Sequence, residues 1–411
     1  MPPTLAIKKE PSEIVRRLHA AGHETYLVGG AVRDLLLGVQ PKDFDIATAA
    51  TPEEVRAVFG RRQCRIIGRR FRLAHVFLNR NIYEVSTFRR CPSQEERKGR
   101  QSDQGMMIWD DNQYGSLEED AARRDFTVNS LYYDICGERG IIDFWGGQVD
   151  LEKKLVRAIG DPDERFAEDP VRMLRALKLC GQFGFSLEKA LSQALQRQRE
   201  SLALASRSRL FEELLKILST CRSAAILSRL QEHGLLTQFW PVLAQSWHEQ
   251  EGMLARHLLE AQGRELQEGR LNLSKAMSLS CVSLPFLMSA LSPGDMDVSS
   301  WRRDADSLHL AKKALRVLFE GYALPKYFQE RVIGICFLLP RLLLETPSPK
   351  ALQHSEYKYA RKLLEFLCAY YRWDQSVLKK LPEALYRTQD DEEKQRRPRR
   401  KRRPGTRPPR K

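Results

Sequence analysis

A chain of 411 residues with 42% apolar content is long enough for two or three domains with real cores, yet its longest apolar stretch, Val332 to Leu339 closed by Pro340, falls far short of the roughly 20 residues of a membrane span. The net charge of +15 is concentrated at one end: Lys394 to Lys411 holds eleven Lys and Arg and no acid, leaving 57 basic against 53 acidic groups in residues 1 to 393. Eight scattered cysteines with no Cys-x-x-Cys pair exclude a zinc framework and a disulfide-stapled fold, and with no apolar leader after Met1 the chain is expected to be cytoplasmic with free thiols.

Ile14, Val15 and Leu18 share one face of a short helix over 11–21. Glu24 to Val28 reads as a strand, Gly29 and Gly30 allow a tight turn and close approach of a ligand, and Ala31 to Leu37 reads as a helix opening at that turn. Free N–H groups at such a helix start suit a phosphate. Asp43, Phe44 and Asp45 then open a second strand-like run, with both carboxylates on one face and Phe44 directed into the protein. Paired carboxylates facing a phosphate cradle suit Mg²⁺, which takes one or two of them and completes its octahedron with substrate phosphates and water. The whole order of strand, Gly-Gly, helix with Arg33-Asp34, Gly38, short loop and Asp-x-Asp resembles the signature of the nucleotidyltransferase superfamily that includes CCA-adding tRNA nucleotidyltransferases and bacterial poly(A) polymerases.

Thr51-Pro52-Glu53-Glu54 carries helix-start signals, and Cys64 to Ile67, Leu73 to Leu78 and Ile82 to Thr87 read as strands. Between them Gly68-Arg69-Arg70-Phe71-Arg72 is either a charged strand edge or a hold on triphosphate or RNA backbone. His75 reads as a core or hydrogen-bonding residue. Glu84 is either a further carboxylate beside the Asp43/Asp45 strand or an outward-facing strand residue. Cys91 to Gly115 is polar and is expected to be a mobile loop. Ser116 to Glu119 is a capping box, leading into Arg123-Arg124-Asp125-Phe126-Thr127-Val128-Asn129, which resembles a second signature of the same family, Arg-Arg-Asp-Phe-Thr-x-Asn. Strands at Leu131 to Ile135 and Ile141 to Phe144 are expected to close the first domain near residue 150.

Beyond Leu151 the pattern is helical. Asp169 is expected to cap a helix with Pro170 in its first turn and Met173, Ala176, Leu177 and Cys180 as its buried stripe. Glu168-Asp169-Pro170-Val171-Arg172 resembles the family's nucleotide-selecting Glu-Asp-x-x-Arg. Helices follow over about 187–199, 207–219 and 223–233, residues 242–305 look less regular, and helical signal returns over 307–319, 329–344 and 358–371. Lys312, Lys313, Arg316, Lys326, Arg361 and Lys362, with Tyr357 and Tyr359, are either an RNA-tracking surface or solvated helix faces. Asp390 to Lys411, lacking apolar anchors, is expected to be a disordered polycation that binds nucleic acid through phosphate charge.

The resemblance is closest to bacterial poly(A) polymerases. It implies an α+β protein: a polymerase-β-like head with a mixed sheet over 11–150, a helical neck over 151–235, a helical body over 236–389 and a basic tail over 390–411. It implies template-independent transfer of AMP from ATP to RNA 3′ ends with release of pyrophosphate, in RNA turnover, with RNA-degradation or RNA-chaperone proteins as possible partners and no membrane. On that reading Asp43 and Asp45 hold two Mg²⁺ ions, Asp125 is a third active-site acid, Gly29, Gly30, Arg33 and Arg124 hold phosphate or ribose, and Asp169 with Arg172 reads the adenine edge. A CCA-adding enzyme shares these motifs. A non-catalytic RNA-binding protein on the same scaffold is the remaining alternative.

Overall fold

The computed structural model describes residues 5–68, 72–90, 113–322 and 324–383. Arg69, Arg70, most of the loop expected over 91–115 and the basic tail lie outside the described residues. The chain divides into two compact units, one of residues 1–213 with 225–241, the other of residues 214–224 with 242–411.

The first unit is built on a seven-stranded sheet of order β3-β4-β5-β2-β1-β6-β7. Its strands are β1 (Thr25–Val28), β2 (Asp45–Thr48), β3 (Cys64–Ile67), β4 (Leu73–Leu78), β5 (Asn81–Thr87), β6 (Leu131–Tyr133) and β7 (Ile141–Asp143). Adjacent strands are antiparallel except β2 and β5, which run parallel with Ile46 opposite Val85. The mixed sheet and the helices that follow it match the α+β architecture expected from sequence. Helices α1 (Lys9–Ala20), α2 (Gly30–Leu36) and α3 (Pro52–Gln63) alternate with the first strands, and Ile14, Val15 and Leu18 of α1 are fully buried.

Local capping chemistry sets the helix starts. Thr51 Oγ1 accepts from the Glu54 amide at 3.3 Å while the Glu54 carboxylate takes the Thr51 N–H at 2.7 Å, and Ser116 and Glu119 form the same reciprocal box at the head of α4 (Leu117–Ala122). Side chains also end two strands earlier than the apolar runs predict. Asp134 accepts the N–H groups of Cys136 and Gly137, turning the chain after Tyr133, and Asp143 accepts those of Trp145, Gly147 and Gln148.

After α5 (Gly147–Glu152) the first unit is helical save for a parallel pair, Leu155–Val156 beside Ser186–Leu187. The sequence reading misses α6 (Pro162–Glu168), although Asp161 caps it through the Glu164 amide and Pro162 opens it. Asp169 consequently lies at a joint between α6 and α7 (Val171–Phe183). The N-cap of α7 is Pro170, and Asp169 Oδ1 accepts the Val171 N–H at 3.2 Å. The predicted stripe of Met173, Ala176, Leu177 and Cys180 is buried. Next come α8 (Lys189–Gln198) and α9 (Arg207–Leu218).

In the second unit two long helices, Gln250–Gln267 and Lys275–Leu291, replace the irregular stretch expected over 242–305. Lys275–Leu291 is buried nearly all round and contains Pro285, so it lacks the one-sided periodicity that marks a surface helix. The basic and aromatic set proposed to track RNA also divides. Lys312, Lys313, Arg316 and Lys326 are exposed, whereas Lys362, Tyr357 and Tyr359 are buried, with Lys362 Nζ 2.8 Å from Glu265 and the Tyr357 hydroxyl donating to the Pro382 carbonyl. Their amphipathic shapes fill the core of this unit, so they are unavailable as an RNA surface. The seven cysteines among the described residues are free.

Candidate active site

The sheet, α4, α7 and α9 surround a cleft of about 600 Å³ in the first unit. Its wall includes Gly29, Gly30, Arg33, Asp45, Arg124, Asp125, Asp169 and Arg172, residues that sequence reasoning singled out over a span of more than a hundred positions. Asp43 is exposed on the bend before β2 and does not line the cleft, while Phe44 between the two aspartates is buried, as the strand alternation predicts.

Asp45 opens β2 opposite Val28. Because Ile46 pairs with Val85 in parallel register, Asp45 and Glu84 precede that pair side by side at the exposed edge of the site. On the far side His75 pairs with Glu84, its Nε2 3.5 Å from the Glu84 carboxylate. The Asp45 carboxyl is pushed up to about 6 by burial first and then by the negative charges of Glu84 and Asp43, against the opposing pull of Arg124.

No group of three or more His, Cys, Asp or Glu among the described residues is assembled as a metal cluster. Asp45 nevertheless fits Mg²⁺, because that ion needs only one or two protein carboxylates beside substrate phosphates, and a cation offsets both the burial and the neighbouring negative charges that raise Asp45.

Gly29 is in a positive-φ conformation (74°), and a Cβ there would lie 3.3 Å from Nη1 of Arg124. The turn therefore requires glycine for its own backbone and for the arginine packed on it. Arg124 is held from behind by a buried pair: its Nε donates to the Tyr132 hydroxyl at 3.0 Å, its Nη2 to Asp120 at 3.0 Å, and the Tyr132 hydroxyl donates to the same Asp120 oxygen at 2.7 Å. Burial pushes the Tyr132 hydroxyl up, so it stays protonated and donates. Arg33 is fixed too. Its guanidinium contacts Asp34, donates to Asn129 Oδ1 at 2.5 Å, and lies 4.7 Å over the Phe183 ring.

Asp125 accepts from the Phe126 amide, from Asn129 and from Arg175 Nη1 at 3.1 Å. Burial alone would raise its carboxyl, but the Arg175 charge and the hydrogen bonds of Asn129 and Arg175 hold it below the usual carboxylate range. A second nitrogen of Arg175 donates to Asp169 at 3.0 Å, so one guanidinium bridges two predicted site acids. Arg209 of α9 donates to the same Asp169 oxygen at 2.8 Å. Arg172 turns elsewhere, to Glu168 at 2.9 Å and the Arg165 carbonyl at 2.8 Å.

Asp120, Tyr132 and Arg209 have no assigned part in the sequence, whereas Arg175, three residues after Arg172 on the helix with Asp169 at its mouth, stands where a guanidinium beside that carboxylate is expected. The i, i+4 spacing of Asp120 and Arg124 is the sequence signal that ties Asp120 to the site.

Residues 25–157 match the family model described as the poly A polymerase head domain, and residues 184–246 match one described as a probable RNA and SrmB-binding site of polymerase A. The chain is 43% identical over 248 residues to poly(A) polymerase I of Haemophilus influenzae, covering 60% of this chain and 54% of that protein. It is 40% identical over 232 residues to the CCA-adding enzyme of Geobacillus thermodenitrificans, covering 56% and 54% respectively. The chain thus spans little more than half the length of these relatives. Among solved structures it is similar to the Bacillus stearothermophilus CCA-adding enzyme in complex with CTP, with a TM-score of 0.58 and 25% identity over 91% of this chain and 82% of that one. On its head-domain signature, its cleft and these matches, residues 25–157 of the chain form a head domain of the nucleotidyltransferase superfamily that includes bacterial poly(A) polymerases and CCA-adding enzymes.

Proposed function

We propose that this chain is a template-independent polynucleotide adenylyltransferase, moving AMP from ATP to RNA 3′ ends and releasing pyrophosphate in RNA turnover. The observation that carries the transferase reading is the convergence of Asp45, the Gly29-Gly30 turn, the braced Arg124 and the base-side acid Asp169 on one cleft. Adenylation is favoured over CCA addition by a resemblance: the Arg-Arg-Phe-Arg-Leu-Ala-His-Val run at 69–76 looks like the poly(A) polymerase version of that strand, and an arginine-rich tail is familiar from those polymerases.

In this reading the protein works by positioning and charge. The Gly29-Gly30 turn, its Gly29 N–H tied to the Leu131 carbonyl, lets the triphosphate approach the start of α2 closely, and Arg33 and Arg124 oppose its charge with guanidiniums that need no reorganisation on binding. Asp125, held ionised, accepts from a ribose hydroxyl. Asp169 accepts from the base edge, with Arg172 beside it. Asp43 and Asp45 would hold Mg²⁺. When bound, that ion lowers the pKa of the attacking 3′-hydroxyl and neutralises the triphosphate. The exposed Lys312, Lys313, Arg316 and Lys326 and the basic tail would hold RNA backbone.

The test is incorporation by purified protein with Mg²⁺ and each NTP, on an unstructured RNA and on a tRNA lacking its 3′ end. Long products from ATP alone on the unstructured RNA support polyadenylation. Short additions confined to the tRNA, needing CTP and then ATP, assign CCA addition, the reading that the CCA-adding relatives favour. Nucleotide incorporation undiminished in Asp43→Ala and Asp45→Ala proteins would refute both.

A further inference from the structure

Asp169 is more tightly held than a carboxylate at the mouth of a solvent-filled cleft needs to be. Its Oδ1 takes the Val171 N–H at 3.2 Å, and its Oδ2 takes Arg175 at 3.0 Å and Arg209 at 2.8 Å. An ionised carboxylate has about four acceptor positions. Three are used here, so Asp169 has one open acceptor position and little freedom to rotate. Val171 and Arg175 belong to the α7 helix that Asp169 itself precedes, whereas Arg209 reaches across from α9, 40 residues along the chain.

A fixed acceptor with one open position discriminates between bases by chemistry rather than size. Adenine and cytosine present an amino group at the edge position where guanine and uracil present a carbonyl oxygen. An amino N–H completes the set on Asp169, while a carbonyl oxygen sets acceptor against acceptor and leaves both unpaired. A carboxylate free to swing away, or to take a bridging water, loses that penalty.

We infer that Arg209 is a specificity-determining positioning residue, clamping the Asp169 carboxylate so that the cleft takes amino-edged bases and rejects carbonyl-edged ones. The inference rests on the transferase reading of the cleft. Arg209 is itself about half exposed, with 46% of its side chain open to solvent, so its ion pair contributes little to stability and its removal leaves the fold in place.

The experiment uses the full chain with Mg²⁺ and an unstructured RNA, and measures kcat/KM for ATP, GTP, CTP and UTP separately in the wild type, Arg209→Ala and Arg209→Lys. Arg209→Ala should lower the ATP-over-GTP and ATP-over-UTP ratios by about tenfold, the scale of one charge-assisted hydrogen bond, and Arg209→Lys should restore most of the loss. Melting temperatures report folding, and Arg209→Gln replaces the alanine variant if that protein is unfolded. A wild type that prefers ATP and an Arg209→Ala variant that keeps its ratios within about twofold would overturn the inference and leave the transferase reading standing. A wild type that incorporates no nucleotide would overturn both.

Discussion

The Tyr132 hydroxyl stands 3.0 Å from Nε of Arg124 and, through its own proton, 2.7 Å from the Asp120 oxygen that Arg124 also uses. Tyr132 and Asp120 are almost wholly buried, so this small triangle fixes a cleft-facing guanidinium from inside the core. Tyr132→Phe should cost about 1 kcal/mol of stability and raise KM for the nucleotide several-fold more than it lowers kcat, because Arg124 is loosened before any nucleotide binds. Steady-state kinetics with a thermal melt check both values.

Gly29→Ala should be worse than its size suggests. The positive φ costs about 1 kcal/mol for an alanine, and the added Cβ presses on Nη1 of Arg124 at 3.3 Å. Incorporation should fall by about tenfold or more while the protein stays folded, as measured by kcat/KM beside a melting curve.

Metal-free protein should be limited by its own carboxylates. The folded Asp45 carboxyl is raised from the ordinary 3.8 to about 6, so the folded state binds this proton more tightly than the unfolded one. Stability is therefore lost as pH rises from about 4 through 6, and stays lost above that. Asp45→Asn in EDTA should melt higher than the wild type at pH 8, by no more than about 1 kcal/mol since the side chain reaches solvent, and the difference should vanish near pH 4. Adding Mg²⁺ should raise the melting temperature of the wild type more than that of the variant.

Glu265 gives the opposite slope in the second unit. Arg270 and Lys362 hold its carboxyl below the usual 4.5, so its contribution to stability is complete above 4.5 and is lost as pH falls through the folded value. Glu265→Gln should cost about 2 kcal/mol at pH 7, because the buried Lys362 ammonium keeps Glu365 alone, and should flatten the acid side of the stability curve. Chemical denaturation at pH 3 to 7 measures both effects.

The parts of the site that the sequence reveals are those whose meaning is local. Gly29-Gly30 before a helix and the Thr51 and Ser116 capping boxes each act within a few residues, and each is found where the pattern puts it, whereas of Asp43 and Asp45 only Asp45 stands on the strand, Asp43 lying on the bend before it. Tyr132 reads only as a strand residue, and Arg209 as one more charge on a helix, because their partners are brought to them by packing. The Lys275–Leu291 helix escapes for another reason: buried nearly all round, with serines among its apolar residues, it shows no one-sided period to detect. Tyr357, Tyr359 and Lys362 mislead in the reverse direction, since aromatic and basic side chains at helical spacing look alike whether they face solvent or a core.

Arg175 joins Asp125 to Asp169 through two nitrogens of one planar group. The two acids are therefore not separate adjustable parts. A change at either end alters the charge and the angle that the other meets, so substitutions at Asp125 and Asp169 will combine non-additively, and, on the roles proposed for them, a drift in base preference would register in the grip on the sugar. On that reading a choice of base is hard to revise one residue at a time, because the first step disturbs both ends of the bridge.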